Sequence, residues 1–218
     1  MKEIEAKFLN IDIKDIRKKI KEAGGKKIHS LMVYRRYAFT LPIENQKGYA
    51  RVRQENKKTT MTIKTYDPDS KYANETEVEL KSTLEEGKNL LLAGGFKQKA
   101  YHETLREKWS IEGCDELCID CIPGIPTYLE IECSSEANVK RVAKLLNLDF
   151  SKAEFGAFDK QFVDYYGFTK DEINQLTPSL TFKNIDKELK FIRKNKDLVQ
   201  IVKKTHLKLL KKIKNSSI

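Results

Sequence analysis

The chain has 218 residues, of which 34% are charged and 39% hydrophobic. That is long enough to bury a sizeable core and too polar for a membrane protein: no apolar run approaches the length needed to span a bilayer. The net charge of +10 suggests a nucleic-acid binder, but residues 183–218 hold 12 of the 42 basic and 3 of the 32 acidic residues, so residues 1–182 are nearly neutral. The N-terminus lacks the apolar region of a signal peptide, and a cytoplasmic location is expected.

Residues 1–8 alternate, with Glu3, Glu5 and Lys7 on one face of a strand and Ile4, Ala6 and Phe8 on the other. Asp12–Ala23 places Ile13, Ile16, Ile20 and Ala23 at helical spacing and stops at Gly24-Gly25. Strands are expected at about 29–40, 49–55, 59–66 and 75–80, with a break at Asp67-Pro68-Asp69-Ser70. A helix over 83–93 follows, then a strand from roughly Phe96 or Lys99 to Ile111, and strands at about 116–122 and 128–134. Ser135 caps a helix whose inner face is Val139, Val142, Leu145 and Leu146. A short helix is expected over 158–166, irregular chain over 169–182, and one long basic helix over about 184–214. In outline the second half resembles the first, which predicts an α+β fold with antiparallel pairing.

The strands share a second property. Arg51 and Arg53 flank Val52; Thr60, Thr62 and Lys64 alternate with Met61 and Ile63; Glu75, Glu77 and Glu79 alternate with Thr76, Val78 and Leu80. Arg106 and Lys108, Asp120, and Glu130 and Glu132 continue the pattern. Each strand taken alone reads as a solvated face with cross-strand ion pairs. Together they describe a barrel with its ionic rows turned inward. Carboxylate oxygens suit hard cations such as Mg²⁺ or Mn²⁺, and Arg forks and Lys ammoniums suit phosphate oxygens. There is no glycine-rich phosphate loop, and His29, His102 and His206 are scattered without a triad.

The ordered set Glu3-Ile4-Glu5-Ala6-Lys7, Arg51-Val52-Arg53, Thr62-Ile63-Lys64, Glu75-Thr76-Glu77, Glu103-Thr104-Leu105-Arg106, Ile119-Asp120 and Tyr128-Leu129-Glu130-Ile131-Glu132 resembles the signature of the CYTH superfamily. These are the triphosphate tunnel metalloenzymes, which include class IV adenylyl cyclases and thiamine triphosphatases. The resemblance covers roughly residues 1–182, leaving 183–218 as a basic amphipathic appendage. It implies a closed eight-stranded antiparallel β-barrel, with helices packed outside, that binds a triphosphate-containing small molecule with Mg²⁺ or Mn²⁺. Carried over residue by residue, Glu3, Glu5, Asp120, Glu130 and Glu132 would face the metal. Lys7, Arg51, Arg53, Lys64 and Arg106 would grip phosphate, with Glu5, Glu132, Lys7 and Arg53 carrying catalysis. Glu75, Glu77 and Glu79 share a parity, and the sequence leaves open which two point inward. Leu105 stands where many relatives have Lys, and Tyr34-Arg35-Arg36-Tyr37 departs from the family pattern where substrate specificity is set.

The leading expectation is metal-dependent hydrolysis of inorganic triphosphate, a nucleoside triphosphate or thiamine triphosphate. The alternatives are an adenylyl cyclase and a non-catalytic nucleotide- or polyphosphate-binding module. The four cysteines, Cys114, Cys118, Cys121 and Cys133, are expected as free thiols in a reducing compartment, and the opposite parity of Cys118 and Cys121 argues against a zinc site. The basic tail is expected to lie against the barrel or a neighbouring subunit of a homodimer. Its alternative role is an electrostatic arm for RNA, polyphosphate or a membrane surface.

Overall fold

The computed structural model describes residues 4–70, 72–185 and 190–215. Two β-α-β-β-β units follow one another along the chain. The first is β1 (Glu5–Phe8), α1 (Ile13–Glu22), β2 (Lys26–Thr40), β3 (Gly48–Glu55) and β4 (Lys58–Tyr66). The second is β5 (Ala73–Leu80), α2 (Leu84–Ala93), β6 (Lys97–Ile111), β7 (Cys114–Cys121) and β8 (Tyr128–Cys133). The sheet order is β1-β8-β7-β6-β2-β3-β4-β5, so each unit lends its first strand to the last strand of the other. The two 15-residue strands β2 and β6 form the seam between them.

The long strands curl this antiparallel sheet into a trough. Among the described residues no ladder joins β1 to β5, so the closed barrel expected from the sequence is here a curled eight-stranded sheet. The open side is crossed by other chain. Lys7 exchanges both backbone hydrogen bonds with Glu154, at 2.8 and 2.9 Å. The Tyr72 hydroxyl donates to Glu136 at 2.8 Å, and its ring stands edge-on to Phe155.

The apolar faces of the strands point outward, and helices cover them. Asp12 caps α1 by accepting from the Asp15 N–H, which aims Ile16 and Ile20 at the sheet. Ser135 caps α3 (Glu136–Leu145) in the same way, and its Val139, Val142 and Ala143, with Leu146, join Ala6, Phe8, Leu117, Ile119, Leu129 and Ile131 in one cluster. Leu145, expected on this inner face, is 52% exposed, because the 100° step between successive helical residues turns it away from its neighbour Leu146. Within the cluster, buried Glu107 receives two hydrogen bonds from Arg17 at 2.9 and 2.6 Å and one from the Trp109 indole at 2.8 Å. A Thr83/Glu86 capping box starts α2, which packs on Ala50 and Val52. Gly87 sits so close that a Cβ there would meet Val52 at 2.5 Å. Burying each large aliphatic side chain contributes about 1.5–3 kcal/mol, so the outer wall supplies the stability that an ionic interior cannot.

The rest of the chain closes one end and flanks the wall. Residues 169–182, expected to be irregular, hold α5 (Lys170–Gln175) and β9 (Ser179–Leu180), which runs parallel to β6. A Thr169/Glu172 capping box starts α5. With α4 (Asp159–Tyr166) these elements build an aromatic cluster of Tyr128, Phe162, Tyr166 and Phe168. The tail helix α6 spans Lys196–Asn215 rather than beginning near Asn184. Asn195 takes a left-handed φ of 54°, and Arg193 is drawn away to the Tyr166 carbonyl and to Glu172. Helical spacing of Ile185, Leu189, Ile192, Val199 and Val202 supports the longer helix, and of these Leu189 lies outside the described residues. Leu209, Leu210 and Ile213 of α6 pack against Leu31, Leu105, Cys121 and Phe182 on the outer wall. No described helix is long and apolar enough to cross a membrane.

Two cysteines also depart from expectation. Cys114 and Cys133 face each other in the β7–β8 register and form a disulfide. A reducing compartment argues for free thiols, and parity alone gives no cross-strand register that would pair Cys114 with Cys133. Cys118 and Cys121 are free and buried, and burial pushes both thiols up, Cys121 to about 12.

Candidate active site in the lumen of the sheet

The concave face of the trough encloses a cavity of about 1080 Å³. Glu5 and Lys7 of β1, Arg51 and Arg53 of β3, Lys64 of β4, Glu75 and Glu77 of β5, Arg106 of β6, Asp120 of β7, and Glu130 and Glu132 of β8 all line it. Period-two alternation puts them there: the intervening Ala6, Val52, Ile119, Leu129 and Ile131 are the outward core residues. Glu3 lies outside the described residues. Of the three glutamates on β5, Glu79 is the one that does not line the cavity; its side chain is 63% exposed and pairs with Lys58.

Two charge systems divide the cavity. In one, the Arg106 fork donates to both oxygens of Asp120, at 2.8 and 2.5 Å, and to Glu130 at 2.7 Å. Lys7 joins Glu5 at 2.5 Å and Glu130 at 3.3 Å. Burial alone would raise the Glu130 carboxyl, but Lys7 and Arg106 hold it well below the usual carboxylate range. Asp120 goes the other way: burial pushes it up, against the pull of Arg106. In the second system Arg51 donates to Thr62 at 3.0 Å and pairs with Glu75 and Glu77 at 3.3 and 3.2 Å. Lys64 pairs with Glu75 at 2.7 Å, and Arg53 pairs with Glu55 and, at 3.7 Å, with Glu77. The Arg53 Nε is buried with no hydrogen-bond partner, a donor built into the wall and left over for a ligand.

Several lumenal residues fall outside the sequence-derived set. Glu116 binds Lys108 and lies 3.4 Å from Arg106. It lies within β7 and shares the parity of Asp120, so the same alternation that marks Asp120 could have found it. Arg36 and His102 also face the cavity. The adjacent pair Arg35-Arg36 gave no clue as to which one pointed inward; Arg35 lies outside, 3.8 Å from Glu103.

The CYTH domain model matches residues 1–156. The chain belongs to the CYTH domain family. Solved structures with the same fold include a protein from Pyrococcus horikoshii OT3, with 23% identity, a TM-score of 0.59, and coverage of 70% of this chain and 94% of that one. A Pyrococcus furiosus protein has 22% identity, a TM-score of 0.60, and coverage of 72% and 97%. A Vibrio parahaemolyticus protein carrying an adenylate cyclase assignment has 13% identity, a TM-score of 0.58, and coverage of 75% and 98%. Identities this low speak for the fold. No match was found among curated proteins.

Proposed function

We propose that this CYTH domain binds a triphosphate chain together with a divalent cation and hydrolyses a terminal phosphoanhydride bond. The observation that carries the reading is the convergence of Lys7, Arg51, Arg53, Lys64 and Arg106 on one cavity that also holds Glu5, Asp120, Glu130 and Glu132. A simple anion trap gains nothing from lining itself with carboxylates. A site for a polyanion and its counter-cation needs both.

The carboxylates fit Mg²⁺ or Mn²⁺ by donor chemistry: they are hard oxygens, and the register sets Glu5 of β1 directly opposite Glu132 of β8. Among the described residues no three acidic, histidine or cysteine side chains already form a preassembled cluster. Magnesium asks for only one or two protein carboxylates, with phosphate and water completing its shell. Glu5 and Glu132, with Glu130 and Asp120 beside them, would hold the ion. When bound, it would neutralise charge on the transferred phosphoryl group and acidify a water molecule.

The remaining work falls to the side chains. Lys7 and Arg53 hold oxygens of the phosphoryl group under attack, and Arg51, Lys64 and Arg106 hold the rest of the chain. The wall fixes the attacking water in line with the bridging oxygen. A carboxylate accepts the water proton, the new P–O bond forms as the bridging P–O bond breaks, and the electron pair leaves on the remaining diphosphate, which is pyrophosphate when the substrate is inorganic triphosphate. Each of these five cations already holds a carboxylate, so the clamp is preorganised and little reorientation is required.

Incubation with Mg²⁺ or Mn²⁺ and inorganic triphosphate, ATP or thiamine triphosphate, with the products resolved, tests this. Release of orthophosphate is the expected result. Cyclic AMP with pyrophosphate from ATP would replace the hydrolase with a cyclase, and tight binding without turnover would replace both with a binding module.

A further inference from the structure

Arg36 stands apart from the other lumenal cations. In the ladders of β2 it lies opposite Arg53 on one side and His102 on the other. Lys7, Arg51, Arg53, Lys64, Arg106 and Lys108 each hold a carboxylate. Arg36 holds none among the described residues; its guanidinium lies 5.4 Å over the Phe158 ring.

Its surroundings add to the cost. Burial, followed by the fields of Arg51 and Arg53, pulls its pKa down to about 10, so it stays charged at neutral pH. His102, stacked edge-on against Phe158 at 5.5 Å, supplies no counter-charge. Burial, Arg36 and Lys99 drive its pKa to about 3, which leaves the imidazole neutral. Lys99 lines the same end, with its ammonium 3.3 Å from the Asn174 side-chain oxygen. Asp159 at this end is itself held by Asn174 at 3.1 Å. A guanidinium desolvated among like charges is unfavourable until an anion joins it.

We infer that Arg36, with Lys99, forms a second anion subsite at the Phe158 end of the lumen, and that it takes a free terminal phosphoryl group. This rests on the triphosphate reading above and narrows its substrate class. An inorganic phosphate chain is ionised at both ends. A triphosphate esterified to a nucleoside or other organic group presents at one end a less charged phosphate and a bulky substituent. The former offers Arg36 three oxygens carrying up to two charges, the latter two oxygens sharing one charge beside a bulky group, so the former returns the stronger charge-assisted pair. The chain therefore selects inorganic triphosphate over esterified triphosphates.

The test compares kcat/KM for inorganic triphosphate and for ATP, with Mn²⁺, in the wild type, Arg36→Gln and Arg36→Lys, alongside thermal melting of each. The wild type should prefer inorganic triphosphate. Arg36→Gln should lower that preference by about 10- to 100-fold, the worth of a charge-assisted hydrogen bond, without lowering Tm, and Arg36→Lys should restore part of it. Equal losses on both substrates, an unchanged ratio, or a lowered Tm that accounts for the loss would overturn the assignment. If the wild type turns over neither substrate, the hydrolase reading fails separately. Calorimetric binding of inorganic triphosphate then decides the subsite: weaker binding by Arg36→Gln upholds it, and equal binding overturns it.

Discussion

At the scale of single residues, Lys7, Arg51, Arg53, Lys64 and Arg106 tolerate burial because each holds a carboxylate; Arg36 stands outside that set. Glu130 is the clearest case among the carboxylates, touched by Lys7 at 3.3 Å and Arg106 at 2.7 Å. Its folded pKa lies below its unfolded value, so its stabilisation is complete above the unfolded value of about 4.3 and is lost as pH falls toward the folded one. Urea unfolding of the wild type should therefore lose stability as pH drops from about 5 to 3. Glu130→Gln should show a flatter profile over the same window; an equally steep one would mean the pairing is not made. Alternation made this network legible, since Lys7, Arg53, Lys64, Arg106 and Glu130 all follow from parity and sign. It could not reveal Arg36, whose neighbour is an equal candidate, nor the Cys114–Cys133 pair, which depends on cross-strand register.

At the scale of elements, α1, α2 and α3 were readable from apolar spacing and their caps, because local chemistry decides where they begin. The tail was not, because tertiary contacts of Arg193 override a periodicity that runs on from Ile185 to Ile213. His206 ties α6 to the wall: it is 2% exposed, stands edge-on to Phe182 at 5.4 Å, and its Nδ1 has no hydrogen-bond partner. Burial holds its pKa down at about 4, so the docked imidazole is neutral. The unfolded chain binds the proton more readily, so stability is full above pH 6.5 and falls as pH drops toward 4, by about 3 kcal/mol in total. Hydrogen exchange should show 196–215 losing protection through this window in the wild type and not in His206→Leu. PH-independent protection in the wild type would refute the docking role of His206.

At the scale of the whole molecule, the sheet is inverted relative to an ordinary curled sheet: apolar outside under helices, ionic inside. Exchange of first strands between the two β-α-β-β-β units brings β1 beside β8, which places the Glu5 and Glu132 carboxylates opposite one another although 126 residues of sequence lie between them. Sequence pattern revealed the rows but not this neighbour relation, nor that β1 and β5 remain without a shared ladder. The excess positive charge lies on the outer helix, whereas the lumen is balanced. Two anion-attracting surfaces therefore compete for any phosphate chain, and the central claim is that the lumen wins. A crystal structure with inorganic triphosphate and Mn²⁺ tests this most directly. Phosphate density among Lys7, Arg51, Arg53, Lys64 and Arg106, with manganese anomalous signal beside Glu5 and Glu132, is the predicted result. Phosphate seated only on the lysines of α6, with the lumenal ion pairs undisturbed, would contradict it.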